Sequence, residues 1–356
     1  MSSPGTAASP GRTKRPAGRR HIRIWTFDRV SFFVVFLGLP LAVFAIFVIS
    51  PFAQAIYYSM TNWHGFSKEM DFIGLQNFVN LFQDDVFLKA MRNSIILGLV
   101  VPFVTIVLAL VLATFVTVGG AGAGNVRGLR HSGIYRVVSF FPYCVPGIII
   151  GIVWALVYSP GNGILNAVLT RVGLDGFENY PWLGDARTAM GASIFVIVWG
   201  FVGFYMVLFI AGIRGIDPDV FEAARIDGAG RFRTAISITV PLIRDNIQTA
   251  YIYLGIASLD SFIFMAALNP NGGPQNSTLT MSQALFQSAF GQGKFGYATA
   301  MGVVLAIVTL LFAALVFGVN ALTGGRDREP ARATSTTSTT DEQIGVVDAT
   351  KVRELR

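Results

Sequence analysis

Residues 221–242 read FEAARIDGAGRFRTAISITVPL, and this stretch decides how the rest of the chain is interpreted. It is a polar-studded insert between two apolar runs that are each long enough to cross a bilayer. Asp217 just before it is a favourable N-cap, and Pro218 suits the first helical position. Gly228 can end that helix in the left-handed conformation that glycine adopts cheaply. The pattern predicts two short helices around a glycine bend.

The second helix is predicted to begin at Gly230. Its spacing puts four apolar or small residues on one face, namely Phe232, Ala235, Ile236 and Val240. Pro241 marks a break before the next apolar run. On periodicity alone, the stretch could equally be an amphipathic loop that lies on the membrane surface.

The order of residue types in this stretch is more specific than its periodicity. Glu222-Ala223-Ala224 is followed after three residues by Gly228, and after nine more by Ile238, with Pro241 three positions further on. This order resembles the signature of the inner-membrane permease subunits of ABC importers, except that Val240 stands where that family usually has leucine. The resemblance implies a coupling helix that docks on a separate ATPase subunit. The implied coupling residues are Glu222, Ala223, Ala224, Asp227, Gly228, Ile238 and Pro241.

The composition indicates a membrane protein. The chain has 356 residues, of which 53% are hydrophobic and 13% charged, whereas about a quarter of a soluble domain is charged. Apolar runs of about 20 residues are long enough for membrane helices. Six such runs are residues 29–50, 94–117, 137–158, 189–213, 247–268 and 297–321. We therefore expect an all-α integral membrane protein with six transmembrane helices.

The predicted organisation is that of the ABC importer permease fold. The six-helix permease domain is expected over residues 29–322, and its cytoplasmic coupling-helix loop, which we call the coupling segment, over residues 214–246. Residues 1–28 are expected to form a disordered basic N-terminus, and residues 323–356 a disordered cytoplasmic tail.

Lysine and arginine set the predicted orientation. Residues 1–29, residues 118–136, the coupling segment and the C-terminal tail hold 7, 3, 5 and 6 of them, or 21 of the 27 in the chain. This asymmetry predicts that both termini and the coupling segment lie in the cytoplasm and that the protein spans a bacterial inner (plasma) membrane several times. The net charge of +7 therefore reports topology and attraction to the anionic lipid of the bilayer, not nucleic-acid binding.

Residues outside the coupling segment resemble the carbohydrate-uptake branch of these permeases, near the subunits of maltose- and glycerol-phosphate-type systems. The matching residues are Ser59, Trp63, Gly74 to Phe78, Asp84, Phe87, Asn93, Pro142, Pro146, Trp154, Gly163 to Asn166 and Gly272-Gly273-Pro274. The resemblance implies a sugar importer with a second permease subunit, an ABC ATPase dimer and an extracytoplasmic solute-binding protein. ATP and Mg would bind the partner ATPase, and no cofactor would bind this chain.

Asp260 is the only carboxylate inside a predicted span. A charge there costs about 2.5–3.5 kcal/mol on insertion scales, so its side chain should face a cavity or a polar partner. It could hydrogen-bond sugar hydroxyls, or it could pair with a polar group on a neighbouring helix or subunit. Aromatic rings suit the apolar faces of sugars, although packing in the core or against lipid also explains them. The candidate pathway residues are Asp260, Tyr143, Trp154, Trp199 and Tyr205.

The sequence argues against an enzyme. It contains no GxxxxGK[ST] phosphate loop, and none of its three histidines lies inside a predicted span. No catalytic residue and no metal ligand are expected. Two other functions stay open: an ABC permease for a solute that is not a sugar, and an ion-coupled secondary carrier that uses Asp260. The coupling motif favours the importer.

Overall fold

The computed structural model describes residues 31–67, 69–117 and 132–324. Within these ranges the chain is helical, and its only β-type pairing is an isolated bridge between Thr61 and Phe72. The predicted N-terminal segment 1–28 and nearly all of the predicted tail lie outside the described residues. The last helix continues to Gly324, two residues beyond the predicted end of the permease domain.

Four helices are long and apolar enough to cross a membrane, and two broken pairs of helices bring the number to six if each pair is one span. The four are Ser31–Ser59, Asp85–Thr117, Ala189–Arg214 and Phe295–Gly324. The pairs are Ser132–Cys144 with Gly147–Val157, and Arg244–Leu259 with Phe262–Leu268. Each lies at one of the six predicted positions.

Shorter elements join these helices. They are the helices Gln76–Gln83, Ile164–Arg171, Pro218–Ile226, Phe232–Leu242 and Met281–Phe286, and the 3-10 turns Asp175–Phe177 and Pro274–Asn276. Single π turns interrupt the regular helices at Val34–Gly38, Ala45–Ile49, Ala235–Thr239 and Gln287–Gly291.

The first span is longer than predicted, because the helix passes through Pro51 and ends at Ser59. Pro51 lies in the first turn of the segment Ser50–Ser59, which directly follows the π turn Ala45–Ile49. A proline is tolerated in a first turn because its missing N–H has no required partner there. None of residues 31–49 is buried within the chain, so this apolar surface is left to lipid or to another subunit.

The third and fifth spans are broken for different reasons. The third breaks just before Gly147, where Pro146 cannot continue the helix, whereas Pro142 lies inside the helix Ser132–Cys144. The fifth breaks at Asp260 and Ser261, which contain neither proline nor glycine. The hydrophobic periodicity and the helix propensity of the sequence therefore did not predict the break in the fifth span.

The described residues form two compact units, and each is assembled from separate stretches of the chain. The first unit comprises described residues of 31–97, 145–200 and 259–307. Its core includes Ile150, Tyr158, Ala192, Val196 and Leu268. The helices Gly147–Val157 and Phe262–Leu268 pack closely there, and a Cβ atom added at Gly151 would lie 2.5 Å from the Cβ of Ala267.

The second unit comprises described residues of 98–144, 201–258 and 308–324. Two glycines allow close helix packing inside it. A Cβ atom at Gly203 would overlap the carbonyl oxygen of Ser139, and one at Gly255 would overlap the ring of Phe312. Small residues at such positions let membrane helices approach one another without a gap. The coupling segment belongs to this unit.

Candidate functional site: the coupling segment

The first helix of the coupling segment begins as the sequence predicts. Its N-cap is Asp217, whose carboxylate accepts a hydrogen bond from the backbone N–H of Asp219 at 3.0 Å. Pro218 occupies the first turn. The cap satisfies one of the N–H groups that a helix start leaves unpaired, and proline removes the need for another.

The same helix ends at the predicted glycine. Gly228 has φ +74°, its N–H donates to the carbonyl of Arg225 at 2.9 Å, and the N–H of Ala229 donates to the carbonyl of Ala224 at 2.9 Å. This pair of bonds is a Schellman motif, which needs a left-handed residue at that position. A Cβ atom at Gly228 would meet nothing within 4 Å. The glycine is therefore required by backbone conformation and not by space.

The helix Pro218–Ile226 has one buried and one open face. Phe221 and Ala224 are 7% and 5% exposed. On the other face Glu222 and Ala223 are exposed, and Ile226 is 87% exposed. The two alanines of the motif thus have different surroundings, since Ala224 packs inside the unit while Ala223 leaves the backbone accessible beside a free carboxylate and an isoleucine.

The second helix departs from the prediction at Pro241, which does not break it. The backbone passes through Pro241 and turns away only at Ile243, with φ −102° and ψ 18°. A π turn over Ala235–Thr239 precedes the proline, and it is closed by a bond from the Val240 N–H to the Ala235 carbonyl. This wider turn changes the hydrogen-bond register just before the proline, so the missing N–H falls at the start of a new short turn.

The two largest residues of the predicted apolar face of this helix are exposed, while Ala235 and Val240 are partly buried. Phe232 is 80% exposed and Ile236 is 52% exposed, whereas Thr234 and Thr239 are buried. The buried hydroxyls bond to the backbone, Thr234 to the carbonyl of Gly230 at 3.1 Å and Thr239 to that of Thr234 at 3.3 Å. The coupling segment therefore presents an open apolar surface: Val220, Ile226, Phe232, Ile236 and Leu242.

Of the seven predicted coupling residues, Ala224 is buried and Ile238 is partly buried. The exposed ones are Glu222, Ala223, Asp227, Gly228 and Pro241. Their roles in coupling stay predictions. Several large exposed apolar side chains within one segment are typical of a region that contacts another protein or a membrane.

The five candidate pathway residues are divided between the two units. Trp154, Trp199 and Asp260 belong to the first unit, and Tyr143 and Tyr205 to the second. The Trp154 and Trp199 rings meet edge to face with centroids 5.5 Å apart. Trp154 also lines a mainly apolar cavity of about 520 Å³ beside Trp182 and Phe195.

The two tyrosines have different surroundings. Tyr143 stacks on Phe204 with centroids 4.5 Å apart and is 41% exposed. Tyr205 is 6% exposed, so its ring is part of the packing of the second unit. Of the two, only Tyr143 has a substantially exposed side chain in this chain.

Asp260 lies at the break between the helices Arg244–Leu259 and Phe262–Leu268, and its side chain is exposed in this chain. Its backbone carbonyl accepts a hydrogen bond from the Ser282 hydroxyl at 3.0 Å. The carbonyl therefore helps to hold the broken span, and the Ser282 hydroxyl also lies within hydrogen-bonding reach of the Asp260 carboxylate.

Three asparagines of the carbohydrate-branch motifs are structural anchors, which the sequence did not indicate. The Asn77 amide donates to the carbonyls of Ser59 and Thr61, both at 2.8 Å. Asn93 is 2% exposed and donates to the carbonyls of Asn276 and Leu279 at 3.1 and 2.9 Å.

Asn166 is the third anchor. It donates to the carbonyls of Pro160 and Tyr180 at 3.2 and 3.0 Å, and it accepts from the indole N–H of Trp182 at 2.6 Å. These amides satisfy carbonyls of irregular backbone that would otherwise lack partners. The amide N–H groups of the anchors therefore hold loops in place and are not available to a solute.

The fold and the coupling segment define a class: a multi-span α-helical membrane protein with a structured, open loop between its fourth and fifth spans. A family of known transport proteins matches most of the chain. The chain belongs to the family described as "Binding-protein-dependent transport system inner membrane component", whose model matches residues 78–324.

Several curated relatives cover most of the chain. The diacetylchitobiose uptake system permease protein NgcF of Streptomyces coelicolor is 59% identical over 330 residues, which are 92% of this chain and 94% of the relative. The multiple sugar-binding transport system permease protein MsmF of Streptococcus mutans is 32% identical over 77% of this chain and 89% of the relative. The probable ABC transporter permease protein YurN of Bacillus subtilis is 33% identical over 76% and 90%.

A solved structure has the same fold. It is a chain of a bacterial alginate ABC transporter in complex with an alginate pentasaccharide-bound periplasmic protein. The TM-score is 0.70 at 20% sequence identity, and the match covers 85% of this chain and 98% of that chain. The family match and these relatives confirm the predicted ABC importer permease and its fold. The chain is therefore a multi-pass membrane protein and a component of a transport system.

Proposed function

We propose that this chain is the permease subunit of an importer for a short, uncharged oligosaccharide, with diacetylchitobiose as the first candidate. The observation that carries this proposal is the 59% identity to a diacetylchitobiose uptake permease over nearly the full length of both chains. Sequence identity of this level over both chains supports the proposal that the two subunits belong to the same kind of transporter.

The proposed role of the chain is to form half of the translocation pathway and to couple it to ATP. A second permease subunit completes the pathway, an extracytoplasmic solute-binding protein delivers the sugar, and an ATPase dimer that binds ATP and Mg supplies the energy. We place the protein in a bacterial plasma membrane with both termini in the cytoplasm. The lysine and arginine distribution supports that orientation.

The coupling segment supports the proposed link to the ATPase. Its first helix is fixed at both ends by Asp217 and Gly228, so a force applied to the exposed face of Glu222, Ala223 and Ile226 would move the helix as one body. Small and apolar side chains on that face allow a partner to approach the backbone closely. Glu222 adds one charge that can orient the contact.

The proposed coupling residues transmit motion and carry out no chemistry. ATP closure of the ATPase dimer would shift the helix, and the permease pair would alternate between outward and inward access. The exposed candidates Tyr143, Trp199 and Asp260 are proposed to line the pathway. Their aromatic faces and carboxylate match the mixed apolar and hydroxyl surface of a sugar.

Uptake by intact cells tests the proposal. A strain that lacks this chain, but keeps the rest of the system, should fail to take up radiolabelled diacetylchitobiose, and the chain supplied from a plasmid should restore uptake. Maltose and a labelled amino acid serve as comparison solutes. Restoration of amino-acid uptake without sugar uptake would contradict the sugar assignment, and uptake that survives complete depletion of ATP would contradict an ATP-driven importer.

A further inference from the structure

The first unit contains a second cavity, of about 500 Å³, that holds none of the five pathway candidates. It lies between the stretch Asn62–Phe87 and the stretch Leu279–Met301, which include segments that the sequence predicts to be outside the cell. Its volume is within the range of about 300–1,000 Å³ that small-molecule sites occupy. Its polar lining includes Asn80, Asp84, Gln287, Gln292, Lys294 and Tyr297.

The walls of the cavity are held by hydrogen bonds between distant parts of the chain. The Asp84 carboxylate accepts from the backbone N–H of Val86 at 2.9 Å and from the hydroxyl of Tyr297 at 2.9 Å. In the stretch Leu279–Met301, the π turn Gln287–Gly291 is followed by Gly293 with φ +70°. A π turn inserted in a helix often marks a functional position, and this one brings Gln287 to the cavity.

Several lining side chains have hydrogen-bonding groups to spare. Within the described chain, the side chains of Gln287, Gln292 and Lys294 have no hydrogen-bond partner in the protein, and the Asn80 amide only accepts from Gln76, at 2.9 Å. The anchors Asn77 and Asn93 differ, because both of their amide N–H bonds go to backbone carbonyls. These side chains therefore bring donors and acceptors without a protein partner to the lining of one cavity.

The charges and the apolar part of the lining restrict the ligand. Asp84 is committed to Tyr297 and to a helix start, and Lys294 contributes one ammonium group, so the site has no excess of either sign. Trp63 lines the cavity with its ring held against Tyr58 at a centroid distance of 4.8 Å. Fixed aromatic surface beside unpaired amides fits a neutral ligand with apolar C–H patches and many hydroxyl or amide groups.

We infer that this cavity is an external sugar-binding subsite that receives a neutral, disaccharide-sized sugar before it reaches the translocation pathway. This inference rests on the proposed sugar function and adds a site to it. Gln287 and Gln292 bind sugar hydroxyl or acetamido groups, Asn80 donates a further hydrogen bond, and Trp63 supplies an apolar wall.

Substitution of the free amides tests the subsite. The double variant Gln287→Leu with Gln292→Leu removes two such groups without breaking any bond within the described chain. The matched control is Gln83→Leu, since Gln83 is exposed on the neighbouring helix and does not line the cavity. With two hydrogen bonds lost, the apparent KM for labelled diacetylchitobiose uptake should rise about tenfold at an unchanged maximal rate.

Gln83→Leu should keep the wild-type KM, and immunoblots should show equal amounts of all three proteins in the membrane. A second readout uses the purified transporter complex without its binding protein. Addition of diacetylchitobiose should change the tryptophan fluorescence of the wild-type complex, and Trp63→Phe should abolish that change.

Two results would overturn the subsite while leaving the sugar function intact: a wild-type KM in the double variant, or a change only in the amount of binding protein needed for half-maximal uptake. The latter would mean that the cavity receives a surface of the binding protein. Failure of the wild-type system to take up any sugar would instead overturn the proposed function itself.

Discussion

Two sets of motif residues that stand out equally in the sequence lie in opposite environments. In the coupling segment, Glu222 and Ala223 are exposed on a short helix whose ends are fixed. In the carbohydrate-branch motifs, Asn77 and Asn166 are 6% and 4% exposed, and their amides bond to backbone carbonyls. One set offers a surface, and the other holds loops.

The two environments indicate two different roles for motif residues. An exposed small residue beside a fixed turn contributes little to the stability of its own unit. We therefore infer that its role is to contact another protein surface. A buried amide that satisfies two carbonyls stabilises irregular backbone, and its removal leaves polar groups unpaired. Substitutions in the two sets should therefore fail in different ways.

The largest expected effect is at Gly228. Gly228→Val forces a β-branched residue into φ +74°, which costs about 1–3 kcal/mol and should abolish sugar uptake because the helix end is displaced. Gly228→Asn should keep most of the uptake, since asparagine tolerates this conformation. Uptake is measured per molecule of membrane-inserted protein. Normal uptake by the valine variant would show that the bend at Gly228 is not needed for coupling.

The adjacent alanines should give the next largest effect, and they separate contact from packing. Ala223→Trp should reduce uptake by more than about tenfold at normal abundance, because a bulky side chain on the open face prevents close approach. Ala224→Leu should instead lower the melting temperature and the abundance of the protein, because overpacking a buried site costs about 1–3 kcal/mol. If both variants lowered the abundance of the protein equally, the assignment of Ala223 to a contact and of Ala224 to packing would be wrong.

The anchors should show the opposite behaviour. Asn77→Ala leaves the carbonyls of Ser59 and Thr61 without this donor, which should destabilise the protein by about 1–3 kcal/mol. The surviving molecules should transport normally. Gln83→Ala on the same helix is the control, since that side chain is exposed. Thermal unfolding in detergent and uptake per molecule are the two measurements, and a stable Asn77→Ala protein with poor uptake would show that the residue acts in transport.

The smallest effect is expected at Asp260. The Ser282 hydroxyl donates to the backbone carbonyl of Asp260 and also interacts with its carboxylate, and asparagine preserves the size and most of the hydrogen-bonding capacity of that side chain. Asp260→Asn should therefore change uptake by no more than about threefold, as expected of a group that offers hydrogen bonds to a sugar. Complete loss of uptake, together with loss of any pH dependence, would favour an ion-coupled carrier.

Local signals predicted the coupling helix well. An N-cap aspartate, a first-turn proline and a glycine at the C-terminal end are chemical requirements of the chain itself, and all three function in the structure as expected. The positions of the six apolar spans were also predictable, because span length is set by the bilayer. The break in the third span is at Pro146, since Pro142 lies inside the helix Ser132–Cys144.

Features that depend on tertiary contacts could not be predicted in this way. The break at Asp260 has no proline or glycine to signal it. Pro241 was expected to break the helix, but the π turn before it allows the helix to continue through this residue. The outward direction of Phe232 and Ile236 could not be inferred from periodicity, which shows that residues share a face but not what that face meets. The anchoring bonds of Asn93 join positions more than 180 residues apart.

The proposed coupling mechanism requires that the open face of the coupling helix touches a separate ATPase. The test places a cysteine at Ala223 in a Cys144→Ser background, which removes the only native cysteine, and treats native membranes with a short thiol-to-amine cross-linker. We predict a cross-linked product that contains this chain and an ABC ATPase, and a much weaker product from Ala224→Cys. An ATPase that purifies with the chain but cross-links at neither position, or more strongly from Ala224→Cys, would contradict the central claim.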